Sequence, residues 1–356
     1  MARKHIIVDA ADATTRGTQR GEQLRGVLPR AVDAYFELFF TVGCSETAVR
    51  DGGERTLDAL NNWRSEYAAE IAAIAAASGL EPWQLAALNA RTEVLASGKR
   101  DAAQECSTIA YRSEAKGKVK TFSVQTWDWH IELDPFWHTQ ETRGAKHSVA
   151  GLTEAGIIGK IGLNSAGLGT HFNILSHSED GVGGVPMHVL ATAMLEHCAT
   201  VDEGLDFIRD VPVSASSAFT MIDPDRAVSV ELSPVGKNVV SMANNAVLRT
   251  NHFLTDPLQT GERLADHRPE SVDRIELIES RFERYPTPKR GKDLLAFLYS
   301  DAGQAPLCAV PDMSKALGER WKTLATVVIE PAKQKVSVAE GSPIDARAGE
   351  WIKLRV

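Results

Sequence analysis

The apolar residues of this 356-residue chain change their spacing near residue 100. Before that point they recur at steps of three and four, as in Leu57, Leu60, Trp63, Tyr67, Ile71 and Ile74. That period places them along one face of an amphipathic helix. The pattern also predicts a helix over 21–40 and another from Pro82, because proline is favoured in a first helical turn. The N-terminal part of the chain is therefore expected to be helical.

Beyond the charged stretch GKRDAAQE at 98–105, β-forming residues dominate. The segments STIAYRS and VKTFSVQTW flank the turn EAKGK and predict a hairpin. Further strands are expected within 147–175, 216–233 and 322–356, with helices between them. Strands, then helices, then strands again indicate antiparallel sheets covered by helices, an α+β fold.

Charge and hydropathy exclude two classes of partner. Acidic residues outnumber basic ones 47 to 39, and the formal charge is −8. Since no long basic run offers a surface for phosphates, nucleic acid is not an expected partner. No run of about 18 apolar residues occurs and the N-terminus lacks a signal-peptide core, so no membrane partner is expected. The prediction is a cytoplasmic protein.

Sequence motifs for several common chemistries are absent. The chain has no phosphate-binding loop, zinc-protease motif or serine nucleophile elbow. Its glycine-rich segment GIIGKIGLNSAGLG does not follow the dinucleotide-binding pattern. His130 and His138 flank a Trp-rich loop without an acidic partner at helical spacing, which is a weak metal pattern. No metal and no cofactor are expected.

The four cysteines are Cys44, Cys106, Cys198 and Cys308. They lie far apart without a C-x-x-C pair, which argues against a zinc knuckle and against a disulfide framework. They are either buried apolar thiols or include one thiol with a chemical role. Cys106 is the candidate for that role because it lies between the charged connector and a predicted strand.

A thiol at Cys106 would need activation. The thiolate is the nucleophile, the pKa of a free cysteine is about 8.5, and no histidine lies nearby in sequence to act as base. Cutting the chain before the cysteine would release an α-amine with a pKa of about 7.7 to 8.0 within reach of the side chain. The cysteine would then carry its own base.

Five motifs in order make the sequence recognisable. They are ECSTIAY, TWDW, TEAGIIGKIGLNSAGL, SSAFTMID and RTNH, with ALNARTE upstream. In order and spacing they resemble the acyl-coenzyme A:isopenicillin N acyltransferase family of N-terminal nucleophile hydrolases. The resemblance implies a four-layer αββα sandwich in which two antiparallel sheets lie between helical layers, here with a helical N-terminal segment.

The resemblance also implies that the precursor, a zymogen, cleaves itself between Glu105 and Cys106. The products would be a helical fragment, 1–105, and a catalytic fragment, 106–356, which stay together as a heterodimer. Family members usually have glycine before the cysteine, so Glu105 is a departure that bears on the rate of the N-to-S acyl shift.

Further roles follow from the resemblance residue by residue. Asn251 in RTNH matches an asparagine whose amide donates to the oxyanion; the alternative is a turn-capping asparagine. Asp128 in TWDW matches an acid that holds the nucleophile; the alternative is a strand-end aspartate bonded to the backbone. The backbone amide of Trp129 is a second candidate oxyanion donor. The late C-R pair of relatives of the penicillin enzyme is missing, because Cys308 is followed by Ala309.

Substrate contacts are expected from two segments. Ser217 in SSAF matches a hydroxyl near the cysteine, with an ordinary strand serine as the alternative, and Phe219 follows in the same motif. Trp127 and Trp129 lie in a hairpin rich in aromatic residues, which would line an apolar acyl pocket or belong to the ordinary core.

The predicted function is hydrolysis of a linear amide C–N bond in a small N-acyl amide, an acylated amino acid or amine, through a thioester at Cys106. One alternative is an acyltransferase that moves an acyl group from a thioester to an amine. The other is an unprocessed relative that binds an acyl compound without catalysis.

Overall fold

Two β-sheets packed face to face form the centre of the molecule in a computed structural model that describes residues 3–98, 106–115, 117–263 and 270–356. Strands of one sheet contact strands of the other along their length, and each outer face carries helices. The described residues thus form four layers, helix, sheet, sheet and helix. The predicted α+β fold, an αββα sandwich with a helical N-terminal segment, is confirmed.

The N-terminal helices are α1 (Ala13–Leu24), α2 (Leu28–Thr41), α3 (Glu46–Trp63), α4 (Ser65–Ser78), α5 (Pro82–Asn89) and α6 (Arg91–Leu95). The single helix expected over 21–40 is wrong, because the chain breaks at 25–27, just before a proline that is tolerated only in the first turn of α2. The stripe from Leu57 to Ile74 also spans two helices. Its break is one residue long, at Arg64 with φ −152°, so the apolar period continues through it.

The first sheet has the strand order β1 (His5–Asp9), β4 (Trp137–Arg143), β5 (Val149–Glu154), β6 (Ile161–Asn164), β7 (Gly169–Ile174), β8 (Ser217–Ile222), β9 (Ala227–Ser233) and β10 (Gly236–Val240). Strand β1 pairs with β4 in parallel, whereas the other neighbours in this sheet are antiparallel. The expectation of purely antiparallel sheets and of a wholly helical N-terminus is therefore wrong at β1, a five-residue strand that buries only Ile6 and Val8.

The second sheet has the order β11 (Ala246–Arg249), β2 (Ser107–Ala115), β3 (Lys118–His130), β12 (Trp321–Glu330), β13 (Lys335–Glu340) and β14 (Ile352–Arg355), all antiparallel. Its central hairpin, β2 and β3, is the one predicted around EAKGK. A bulge interrupts the pairing of β3 with β12 between Thr323 and Ala325.

Helices α7 (Met187–His197) and α8 (Val201–Ile208) join the N-terminal helices on the first sheet. The short helix α9 (Asp256–Gln259) lies against β10. The second sheet is covered by α10 (Glu270–Arg284), a 3-10 helix (Gly291–Phe297) and α11 (Pro343–Ala348). In the described part of the chain, no helix has the length and apolar character needed to cross a membrane.

The alternation of β2 fixes which side chains reach the candidate site. Thr108 donates to Asn173 Oδ1 on β7 over 2.8 Å, so its side chain faces the first sheet. Ser107 accepts from Arg274 on α10 over 3.2 Å, so its side chain faces the outer helical layer. Since strand side chains alternate, Cys106 and Thr108 share the inner face. The nucleophile candidate therefore points into the space between the sheets.

Candidate active site

Cys106 directly precedes β2, which lies between β11 and β3 in the second sheet, and is 3% exposed. Its Sγ accepts from the backbone N–H of Asp128 on β3 over 3.4 Å. The thiol donates to the carbonyl oxygen of Asp128 over 3.7 Å. Strand pairing therefore places the thiol at the peptide group of Asp128. All four cysteines are free thiols.

The intact site does not favour a thiolate. Burial is the largest influence and, with the neighbouring Asp128 carboxylate, raises the pKa of the Cys106 thiol to about 12. The Asp128 N–H, Lys160 and Arg274 act in the opposite direction but are outweighed. A thiol with this pKa is protonated at neutral pH and is a poor nucleophile. Activation needs a further base or a change in the surroundings.

The carbonyl of Cys106 is held from two sides. Asn173 Nδ2 on β7 donates to it over 2.9 Å, and Arg274 Nη1 on α10 donates over 3.3 Å. One bond comes from the facing sheet and the other from the outer helical layer. The backbone of the nucleophile is therefore fixed by both layers that enclose its strand.

Asn251 follows β11 and is buried, with its side-chain amide oriented by two contacts and its backbone held by a third. Its Oδ1 accepts from Arg274 Nη2 over 3.1 Å, and its Nδ2 donates to the carbonyl of Ile174 over 2.9 Å. Its backbone N–H donates to Ser271 Oγ over 2.8 Å. An amide nitrogen has two hydrogens, so Nδ2 retains a second donor beyond the Ile174 bond. Asn251 and Cys106 share Arg274 as a partner.

A buried ion pair supports the loop that carries Asn251. Arg249 at the end of β11 binds Glu231 on β9 over 2.7 Å, and neither side chain is exposed. Glu231 also accepts from the backbone N–H groups of Leu254 and Thr255 over 2.6 Å and 3.2 Å. The loop from 250 to 255 is thus anchored on both sides of Asn251.

Trp127 and Trp129 lie on β3, one on each side of Asp128, whose peptide group contacts the thiol. The ammonium of Lys160 lies 3.8 Å from the centre of the Trp127 ring and 2.6 Å from Glu154 Oε2. The guanidinium of Arg91 lies 3.8 Å from the centre of the Trp129 ring and 3.1 Å from the same carboxylate oxygen. Both tryptophans are buried against this charged cluster.

Ser217 and Phe219 lie on β8, in the facing sheet, and both are buried. Phe219 packs against Phe172 with ring centres 5.8 Å apart. Phe172 also lies 5.0 Å from His188 on α7, whereas the next residue, Asn173, reaches Thr108 on β2. Phe219, the strand partner of Phe172, and Ser217, two residues earlier, therefore face the outer helical layer rather than the space between the sheets. Among the described residues, the Cys106 thiol forms its hydrogen bonds with the peptide group of Asp128 rather than with Ser217.

Two further expectations concern the backbone amide of Trp129 and the residue Glu105. Trp129, whose backbone amide is a candidate oxyanion donor, pairs with Lys322 on β12, and the backbone N–H at the thiol is that of Asp128. Glu105, on the acyl side of the expected cleavage, lies outside the described residues. The roles of all these residues stay predictions. Within the described ranges, no group of three or more His, Cys, Asp or Glu side chains could hold a metal ion.

Sequence reasoning missed Arg274 and Lys160. Arg274 falls on the same stripe of α10 as Ile275, Ile278 and Arg281, and two arginines on a buried helical face are a usable signal. Lys160 is the single charge in the apolar, glycine-rich run 156–169 and is buried. Its position in that run indicates a paired or functional lysine.

Comparisons with known proteins agree with the resemblance read from the motifs. At 27% identity, the chain matches the 40 kDa form of acyl-coenzyme A:6-aminopenicillanic-acid-acyltransferase from Emericella nidulans over 92% of its own length and 90% of that protein. Among solved structures, a conjugated bile acid hydrolase from Clostridium perfringens matches with 10% identity and a TM-score of 0.46, over 70% of this chain and 92% of that one. The Caenorhabditis elegans N-acylethanolamine-hydrolyzing acid amidase ortholog matches with 15% identity and a TM-score of 0.43, over 64% and 93%.

A family model covers a larger share of the chain than any single motif. The model described as acyl-coenzyme A:6-aminopenicillanic acid acyl-transferase matches residues 114–345, more than half of the 356 residues. The matched region begins within β2, after Cys106. It confirms the predicted enzyme class, an N-terminal nucleophile amidohydrolase or acyltransferase that acts on amide bonds. The chain belongs to the acyl-coenzyme A:6-aminopenicillanic acid acyl-transferase family.

Proposed function

We propose that this protein is a self-processing cysteine amidohydrolase that cleaves small N-acyl amides through a thioester at Cys106. The observation that carries the proposal is the environment of this thiol. It directly precedes strand β2, its Sγ contacts the Asp128 N–H at 3.4 Å, and its carbonyl is fixed by Asn173 and Arg274. A nucleophile held this way has few orientations to lose when it attacks a carbonyl.

Processing comes first. The Cys106 sulfur attacks the Glu105 carbonyl carbon, the C–N bond breaks as the C–S bond forms, and the amide nitrogen takes up the thiol proton. Water then hydrolyses the thioester, which leaves a carboxylate on Glu105 and a free α-amine on Cys106. The proposed products are 1–105 and 106–356, held together as a heterodimer by the contacts between the N-terminal helices and the first sheet.

Turnover then uses the new amine as base. In the intact chain the pKa of the thiol is raised to about 12, so a base is required. The α-amine accepts the thiol proton, and the thiolate attacks the substrate carbonyl. The oxyanion is held by the second hydrogen of Asn251 Nδ2 and by a backbone N–H near Asp128. The protonated amine passes its proton to the leaving nitrogen. Water then hydrolyses the thioester and releases the acid.

Cysteine variants test this function. Denaturing mass spectrometry of the purified protein should give two fragments that sum to the intact chain. Cys106→Ala should give one uncut chain without turnover on a panel of N-acyl amino acids and N-acyl amines. Cys198→Ala is the matched control, since Cys198 is also a buried free thiol, and it should process and turn over normally. A single uncut chain with no turnover in the wild type would instead favour a binding protein.

Acyl transfer is a second candidate, because the matching family model and the Emericella nidulans relative carry that name. The thioester at Cys106 is the same intermediate, and an amine replaces water in the second step. Supplying a thioester donor together with an amine distinguishes the two reactions. Amide formed faster than free acid would establish the transferase.

A further inference from the structure

A cavity of about 510 Å³ lies where the turn between α1 and α2 meets one end of β4 in the first sheet. Its walls come from the segment before β1, the α1–α2 turn, the end of the 3-10 helix (Ile131–Phe136) and the first residues of β4. Among the described residues, none of those that line it belongs to the candidate active site. Small-molecule sites have volumes of about 300–1,000 Å³, so the cavity is large enough for a ligand of its own.

One of the lining residues is His138 on β4, which is 3% exposed. Further along the same strand, Gln140 accepts from Arg20 of α1, and Thr142 accepts from the same guanidinium over 2.8 Å. Since strand side chains alternate, His138 shares this face and points towards the helices that border the cavity. Neither of its ring nitrogens has a hydrogen-bond partner in the described part of the chain. A buried polar group is normally paired, so a ligand is expected to supply the partners.

The charge state of His138 defines which partners it needs. Burial, followed by the charges of Arg20 and Lys4, lowers the pKa of His138 to about 3. The imidazole is therefore neutral at physiological pH and has one N–H donor and one nitrogen lone pair. A ligand that satisfies both nitrogens must offer an acceptor and a donor close together. A secondary amide does so, because its carbonyl oxygen accepts and its N–H donates.

The charged residues of the cavity favour an anion. The two carboxylates that line it, Asp134 and Glu340, are both paired with Arg3. Lys4 and Arg30 also line the cavity, and within the described ranges neither has a carboxylate oxygen within 4 Å. Both are exposed at its mouth. Two positive charges thus remain for a negatively charged ligand group.

The remaining wall is apolar. Leu24, Phe136, Trp137 and Ala155 are buried and line the cavity. Such a wall favours a hydrocarbon chain, which leaves water on binding. The guanidinium carbon of Arg30 lies 5.8 Å from the centre of the Phe136 ring, at the border of this wall. The ligand therefore needs an apolar part and a charged end.

We propose that this cavity is a second binding site, apart from Cys106, for an N-acyl amino acid. The amide group pairs with both nitrogens of His138, the carboxylate meets Lys4 and Arg30, and the acyl chain lies against the apolar wall. This ligand class has the donor, the acceptor, the charge and the apolar part in one small molecule. The inference goes beyond the proposed function, because binding here requires no reaction at Cys106.

Isothermal titration calorimetry with three matched ligands tests the chemistry of the site. The full protein is first alkylated at Cys106 with iodoacetamide, so that no ligand is consumed. N-Hexanoylglycine should bind. Its methyl ester lacks the charge and N-hexanoylsarcosine lacks the amide N–H, so each should bind about 10-fold more weakly.

The His138→Phe variant keeps a ring of similar size but removes both nitrogens. It should bind N-hexanoylglycine about 10-fold more weakly than the wild type. In this variant the sarcosine ligand should bind as well as the glycine ligand, because the partner of the amide N–H is gone. Its melting temperature should not fall, since two unpaired buried nitrogens are replaced by apolar atoms.

The Arg30→Met variant changes an exposed residue, so it tests the charge without disturbing the core. It should weaken N-hexanoylglycine about threefold to fivefold and leave the affinity of the methyl ester unchanged. Arg25→Met is the matched control. Arg25 is also exposed and lies in the α1–α2 turn, but it donates to the carbonyl of Ala77 over 2.9 Å. This variant should leave all three affinities unchanged.

Several results would overturn the inference. They are no binding of N-hexanoylglycine at millimolar concentration, equal affinity for the acid and its methyl ester, or an unchanged affinity in either His138→Phe or Arg30→Met. Unchanged affinity in both variants would place the ligand at the active site instead. Failure of the proposed function is distinguishable, because it is measured from fragment masses and turnover in protein that has not been alkylated.

Discussion

Replacing Arg249 by methionine should destabilise the protein by a predictable amount. Arg249 and Glu231 form an ion pair at 2.7 Å with no exposure of either side chain. Arg249→Met leaves the Glu231 carboxylate buried with only its remaining N–H and hydroxyl donors from Leu254 and Thr255. An uncompensated buried charge of this kind costs about 3–5 kcal/mol.

The cost converts into a melting temperature. Unfolding entropy is about 2.1 cal/mol/K per residue. For 356 residues this gives about 0.75 kcal/mol/K, so the loss corresponds to a decrease in Tm of about 4–7 °C. Differential scanning calorimetry on protein in the same processing state measures it directly.

An exposed ion pair provides the control. Arg226 binds Asp202 over 2.9 Å, but their side chains are 44% and 74% exposed. Arg226→Met should therefore lower Tm by no more than about 1 °C, since surface pairs contribute about 0–1 kcal/mol. The double variant Arg249→Met/Glu231→Leu should recover much of the loss, because no unpaired charge remains. Equal decreases for Arg249→Met and Arg226→Met would refute the reasoning.

Three further predictions concern packing, pH and the thiol. A Cβ on Gly17 would lie 2.3 Å from a backbone oxygen of α4, so Gly17→Ala should cost about 1–3 kcal/mol in urea unfolding, whereas Gly26→Ala, with no atom within 4 Å, should be neutral. Burial raises the pKa of Glu93 from 4.5 to about 7. The contribution of Glu93 to stability is therefore fully present below pH 4.5 and is lost as pH rises through 7. Glu93→Gln should flatten the dependence of Tm on pH between about pH 5 and 8, and an unchanged slope would contradict this. Burial lowers the pKa of Lys160 to about 7, and its charge lowers the pKa of Cys106. Lys160→Met should therefore slow alkylation of that thiol at about pH 6, which mass spectrometry measures as the labelled fraction against time.

Local patterns predicted the parts of this fold that local physics determines. The hairpin around EAKGK and the strands at 217–222 and 227–233 follow from alternation between turn residues. The helix stripes before residue 98 also hold, with two exceptions: the helix expected over 21–40 is broken at 25–27, and Arg64 turns extended without breaking the apolar period. Strand β1 was not predicted, because five residues with two buried side chains give little periodic signal and its parallel partner β4 lies far away in sequence.

The residues of the candidate site likewise divide into those that sequence motifs identified and those whose role depends on tertiary packing. Cys106, Asp128 and Asn251 were identified from motifs, and the first two meet through adjacent strands. Arg274 was missed because its contacts with Cys106 span 168 positions and depend on how α10 lies across the second sheet. Helical periodicity indicates that Arg274 is on a buried face, but it does not reveal which group the guanidinium meets. Such partners follow from tertiary packing.

The most direct test of the account is chemical labelling of the N-terminus in an active preparation. 2-Cyanobenzothiazole condenses with an amine and a thiol on adjacent carbons, a pair that Cys106 presents only after cleavage before it. We predict one label on the 106–356 fragment, and loss of turnover in proportion to labelling. An active preparation that consists of the uncut chain, or that keeps full turnover when the fragment is completely labelled, would contradict the central claim.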